Sequence, residues 1–109
     1  KLRAIPGVEI PQVSAHTSRM SWFVYVIRFA ETIDRDAMAK QLKEKGIPVR
    51  PYFLPIHLQP YMAEMFGYKL GDYPVTEDLG RRSLALPFSG VITEGQVDLV
   101  CEAIAGCLE

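Results

Sequence analysis

Cysteine and histidine are scarce in this chain. Cys101 and Cys107 are its only thiols, and His16 and His57 its only imidazoles, among 109 residues. No Cys/His cluster has the spacing of a zinc site, so a metal centre is not expected. A glycine-rich phosphate loop is missing, as is a Gly-x-Ser-x-Gly elbow, and Ser83 and Ser89 flank an apolar run with no evident base beside them. Excess charge of one sign is also lacking: 12 Lys and Arg stand against 13 Asp and Glu, for a net charge of -1. Such a balance provides no whole-molecule field to attract nucleic acid or an anionic membrane, so any anionic ligand must be met locally. No apolar run approaches the length of a membrane span, and the amino-terminal residues lack the basic-then-apolar order of a signal peptide. A cytoplasmic location is expected. The two cysteines fall six residues apart on adjoining positions of one helical pattern, which disfavours a bridge and fits apolar packing in a reducing compartment.

At this length the chain is one domain, able to bury a single core but too short for a large enzyme with its own cofactor cleft. A hydrophobic content of 49% and a charged content of 23% match an ordinary globular protein. The chain starts at Lys1 rather than methionine, and Pro6-Gly7 and Pro11 punctuate its first residues. The expected organisation is therefore a lead-in over residues 1–20 from a missing upstream domain, with room for one short element, followed by one domain over residues 21–109.

Trp22 to Phe29 is β-branched and aromatic on both alternating sets, the pattern of a strand covered on both faces. Asp34 caps a helix with Ala37, Met38 and Leu42 on its inner side, Lys40, Lys43 and Lys45 outside, and Gly46 as its stop. Ile47 to Arg50 reads as a strand that Pro48 places at a start or an edge. A short helix is expected over Pro60–Phe66 with Gly67 ending it, and Gly71-Asp72 forms a turn. Another helix opens at Pro74, its acidic Glu77 and Asp78 complementing the helix dipole. Ser83 to Pro87 is a short strand. Thr93-Glu94-Gly95-Gln96 matches a capping box, ahead of an apolar stripe through Val97, Val100, Cys101, Ile104, Cys107 and Leu108. The sum is an α/β two-layer sandwich, a small, mainly antiparallel sheet of about three strands backed by helices.

Between Arg50 and Tyr61 lie Pro51, Pro55 and Pro60. Each proline removes a backbone donor and pushes its predecessor toward extended geometry, so the segment reads as a stiff extended loop. Arg50, Tyr52, His57 and Gln59 hang from it. Singly, each has a structural explanation: an ion pair for Arg50, core packing for Tyr52, a hydrogen-bonded core position for His57. Together on a rigid backbone they suit phosphate or hydroxyl-rich ligands at low entropic cost. Arg81-Arg82 offers a further phosphate contact or, more simply, a solvated helix face.

Four motifs, in order, resemble the carboxy-terminal part of the DegT/DnrJ/EryC1/StrS aminotransferases. They are Arg50-Pro-Tyr-Phe-x-Pro-Ile-His57-x-Gln59-Pro-Tyr61, Gly71-Asp-x-Pro74-Val-Thr-Glu77, Leu84-Ala-Leu-Pro87 and Thr93-Glu-x-Gln96. The resemblance runs from residue 20 to residue 108, and the Arg50-Pro51-Tyr52-Phe53 variant, where many relatives have His-Tyr-Pro at its last three positions, resembles the perosamine-synthase-like branch. It implies the small domain of a fold-type I, pyridoxal 5'-phosphate-dependent enzyme that aminates a nucleotide-linked keto sugar in polysaccharide or secondary-metabolite biosynthesis. It further implies an amino donor such as glutamate, a homodimer, and a large domain upstream that holds the cofactor and the Schiff-base lysine. No catalytic or cofactor-binding residue maps onto this chain, which implies that it is inactive alone. Tyr52 and His57 are the implied sugar-nucleotide contacts, with Arg50 and Gln59 behind them. Two other readings stand on the residues themselves: a non-catalytic regulatory or ligand-binding α/β module, and an interaction domain whose aromatic loop, Tyr52 to Tyr61, docks a protein. Half of an enzyme should expose an apolar face, whereas a self-contained module should not.

Overall fold

The computed structural model describes residues 1–109. In chain order the elements are β1 (Val8–Glu9), β2 (Tyr25–Phe29), α1 (Arg35–Glu44), β3 (Arg50–Pro51), α2 (Pro60–Phe66), α3 (Pro74–Arg82), β4 (Ser83–Leu86) and α4 (Glu94–Ala105), with single 3-10 turns at Leu2–Ala4 and Ile56–Leu58. The sheet is antiparallel throughout, with the order β1-β2-β4-β3. This is the expected two-layer α/β sandwich with a fourth strand. The extra strand, β1, lies in the lead-in and pairs Val8 with Phe29 and Glu9 with Arg28. Two residues carry no periodicity, so a strand this short is visible only through its partner.

Local signals placed the helices. The Asp34 carboxylate accepts from the Asp36 and Ala37 amides at 2.9 and 3.0 Å. The Thr93 hydroxyl and the Gln96 side chain complete a reciprocal capping box at the start of α4. At the end of α1, Gly46 adopts a φ of 79°, and the Ile47 amide reaches back to the Leu42 carbonyl at 2.9 Å. That 6→1 bond is a Schellman closure, and the left-handed residue it requires explains the glycine. On α1 the buried set is Met38, Ala39 and Leu42, whereas Ala37 is exposed. Ala37 stands five residues before Leu42, about 140° round the helix, which takes it off the inner face.

One face of the sheet forms the core. Ile27 pairs with Leu84 and Tyr25 with Leu86. Ile27, Phe29 and Leu84 are fully buried under Leu42 of α1 and Ile104 of α4. Each such side chain contributes about 1.5–3 kcal/mol by leaving water. The other face is only half covered, since Val26, Arg28 and Ala85 remain partly exposed, so β2 is not the doubly covered strand its composition suggested. On that outward side Val26 is apolar without being buried, and Arg28 pairs with Glu9. The strand expected from Ile47 begins instead at Arg50, after Pro48, which has no amide to donate to a ladder. Cys101 is buried and Cys107 partly buried, and both are free thiols. No helix is long and apolar enough to cross a membrane.

Candidate functional site

The proline-rich segment leaves β3, makes one 3-10 turn at Ile56–Leu58, and enters α2 through Gln59 and Pro60. The turn departs from the fully extended path expected between the prolines. Ile56 to Gln59 is the longest run here free of proline, and the Leu58 amide closes onto the Pro55 carbonyl at 3.0 Å.

That turn rolls His57 inward. Its imidazole, expected at a ligand surface, is 6% exposed, and Nε2 lies 2.8 Å from Glu77 Oε1. Glu77 also accepts from the Gly71 amide at 2.9 Å through either oxygen, and from the Tyr73 amide at 3.1 Å. Burial pushes the Glu77 carboxyl up, but the hydrogen bond from His57, the two backbone amides and the neighbouring imidazole together outweigh it. They hold the carboxyl below its ordinary value. An ionised carboxylate only accepts, so Nε2 of His57 carries the hydrogen. Edge-on contacts with the Tyr73 ring at 4.8 Å and the Tyr68 ring at 6.4 Å complete the enclosure. The clasp ties the proline loop, the turn over residues 67–73 and α3 together.

The other predicted residues sit elsewhere. Arg50 is exposed on the edge strand and makes no ion pair; Tyr52 is half-buried and continues the strand pairing through its amide to Ser83 O at 3.4 Å. Gln59, also half-buried, caps α2 through its backbone carbonyl, which accepts from Met62 and Ala63 at 2.9 and 3.0 Å. The four residues are therefore not gathered round one cavity. A cleft of about 630 Å³ does open beside the clasp, between Leu54, Pro55 and Leu58 of the loop, Gly71 of the turn, and Glu77 and Arg81 of α3. None of the four lines it. A second depression of about 560 Å³, among Leu86, Phe88, Val97 and Val100, is mainly apolar, with Lys1 and Arg3 also in its lining.

Arg82 is not on a solvated face. It is buried, grips Asp78 at 2.7 and 2.5 Å, and donates to Phe29 O at 2.8 Å, while exposed Arg81 takes the same carboxylate at 2.9 Å. The Arg82 hydrogen bond holds the Asp78 carboxyl below its ordinary range, helped by the charges of Arg82 and Arg81. Arg35 of α1 donates to Gly80 O and Ser83 O at 3.0 and 2.8 Å, satisfying carbonyls at the end of α3. Both arginines fix α3, and with it Glu77, against the sheet.

Sequence reasoning missed three participants. Glu77 has the sequence position of a dipole-complementing acid, whereas its carboxylate accepts from the Gly71 and Tyr73 amides of the preceding turn. Phe53 has a φ of 64°, the only non-glycine residue with positive φ. For a bulky side chain this costs about 1–2 kcal/mol, and no sequence signal announces it. Gly80 lies under the loop: a Cβ there would stand 2.8 Å from Pro55 Cδ and 3.0 Å from Phe53 O.

The architecture is a small sheet backed by two helices, with a rigid proline loop clasped to a third. The family model described as the DegT/DnrJ/EryC1/StrS aminotransferase family matches residues 1–105, and the chain belongs to that family. It is 34% identical over 92% of its length to the spore coat polysaccharide biosynthesis protein SpsC of Bacillus subtilis, covering 26% of that protein. It is 33% identical over 89% of its length to the GDP-perosamine synthase of Escherichia coli O157:H7, covering 25% of it. Among solved structures, DesV of S. venezuelae, captured with a ketimine intermediate, superposes with a TM-score of 0.85 at 27% identity, over 99% of this chain and 28% of that one. The chain thus spans about a quarter of the length of the curated relatives it matches.

Proposed function

We propose that this chain forms the substrate-cleft small domain, residues 21–109 with a lead-in over 1–20, of a pyridoxal-phosphate-dependent aminotransferase. The enzyme aminates a nucleotide-linked keto sugar with an amino donor such as glutamate, in the cytoplasm, as a homodimer. The observation that carries the reading is the family match along nearly the whole chain, with a GDP-perosamine synthase among the relatives. A second observation supports it. Leu54, Ile56, Tyr61, Met65, Phe66, Leu70 and Val75 are all more than half exposed on the loop, α2, the following turn and α3. This apolar face suits contact with an upstream domain and disfavours an independent module.

The residues present do not fit the cofactor. All five lysines (Lys1, Lys40, Lys43, Lys45 and Lys69) are exposed, and none stands in an enclosed pocket that would shield a Schiff base from water. Holding pyridoxal phosphate falls to the remainder of the enzyme, and the chain alone is inactive. What this chain contributes is orientation. Arg50, Tyr52 and Gln59 contact the sugar nucleotide, Arg50 through charge-assisted bonds to phosphate oxygens. His57, with Nε2 engaged by Glu77, holds the loop in place behind them.

The test is a visible absorption spectrum of the full-length protein with added pyridoxal phosphate, before and after borohydride. A reducible aldimine band is expected there, and none with the 109-residue chain. No band in the full-length protein would replace the enzyme by a regulatory or binding module.

A further inference from the structure

Phe53 holds a costly backbone conformation, yet its ring buries little. At 69% exposure it adds almost nothing to the core, while its centroid lies 4.3 Å from that of Tyr52, the planes inclined by 37°. The conformation is enforced from beneath. Pro55 and the Phe53 carbonyl rest on α3 where Gly80 has no Cβ, an approach that any other residue would block. Strain that persists because the surroundings over-determine it, and that displays a side chain to solvent, points to use of that side chain. The chemistry on offer is specific. Arg50 precedes Tyr52 by two positions on the edge strand, so alternation puts both on the same side, with Pro51 turned toward α1. A tilted pair of rings beside an unpaired guanidinium matches a flat heterocycle joined to phosphates.

We propose that Phe53 is the stacking surface for the nucleobase of the sugar nucleotide, with Tyr52 at its side, Arg50 meeting the diphosphate, and Gly80 positioning the loop that presents the ring. The inference rests on the sugar-nucleotide reading above and adds which part of the ligand this loop selects: the base.

Isothermal titration of the full-length enzyme with GDP, dTDP and inorganic pyrophosphate tests it. At least one nucleoside diphosphate is expected to bind the wild type more tightly than pyrophosphate. Phe53→Asn keeps a residue that tolerates the left-handed backbone but removes the ring. It should weaken that nucleotide about ten- to hundredfold and leave pyrophosphate unchanged, whereas Phe53→Trp should retain the preference. Unchanged nucleotide affinity in Phe53→Asn overturns the stacking role while leaving the sugar-nucleotide reading intact. Equal losses for nucleotide and pyrophosphate also overturn it, as does a fall in thermal stability without a change in selectivity, which would assign the ring to a contact between domains. If the wild type binds neither nucleotide, the sugar-nucleotide reading falls and this inference with it.

Discussion

The two halves of the molecule are held together by different forces. Where the sheet meets α1 and α4, Ile27, Phe29, Leu42, Leu84 and Ile104 are fully buried. From Arg50 to Arg82, through the loop, α2 and α3, the only buried residues are the polar His57 and Arg82. That flank is secured by the Glu77 carboxylate with its imidazole and amide donors, by arginines bonded to carbonyls, and by a proline seated on a glycine. Burial gives the first half its stability without regard to direction, whereas hydrogen bonds fix the second half in orientation. The second half therefore keeps its direction with few buried side chains, and its apolar residues stay exposed.

The sharpest way to break the comparison lies in the core. Phe29→Ala should cost about 3–5 kcal/mol in chemical denaturation, through lost burial and the cavity left behind. A loss below about 1 kcal/mol would mean that the sheet face is not the main source of stability.

A smaller and pH-dependent loss is expected from Glu77→Gln. The Glu77 carboxyl is held below its ordinary 4.5 in the folded chain, so its contribution is present above that value and is lost as pH falls through the folded value. The melting temperatures of wild type and variant should therefore differ most near neutrality and converge in acid. A gap that stayed constant with pH would show that the carboxylate's charge plays no part in the clasp.

The smallest effect belongs to the exposed apolar face. Phe66→Ser, on α2, should change the stability of the isolated chain by no more than about 0.5 kcal/mol while reducing its self-association in sedimentation. A large destabilisation would move Phe66 into the core and blur the contrast between the halves.

Much of the fold was legible because its signals are local. Asp34, Gly46, Thr93 with Gln96, and the prolines opening α2 and α3 act within a few residues of themselves, so their effect can be read without knowing the rest of the chain. The candidate site was legible as a segment but not as an arrangement. Arg50, Tyr52, His57 and Gln59 were found together in sequence, and the single turn at Ile56–Leu58 sent one of them inward. Arg82 looks like its neighbour Arg81 and both bond Asp78, yet Arg82 is buried and Arg81 exposed, because only Arg82 lies on the side of α3 that reaches the Phe29 carbonyl.

By itself the sequence determined the order of the elements from β2 onward, the helix ends, the stiffness of the proline loop and, through four spaced motifs, the family. Those depend on backbone sterics, capping bonds and residue identity, all of which operate along the chain. Tertiary structure alone decided that residues 8 and 9 form an edge strand, that His57 faces Glu77, that Gly80 makes room for Pro55, and that Phe53 takes a left-handed conformation. Each depends on a partner many residues away, brought close only once burial of the sheet face has set α1, α3 and α4 in place.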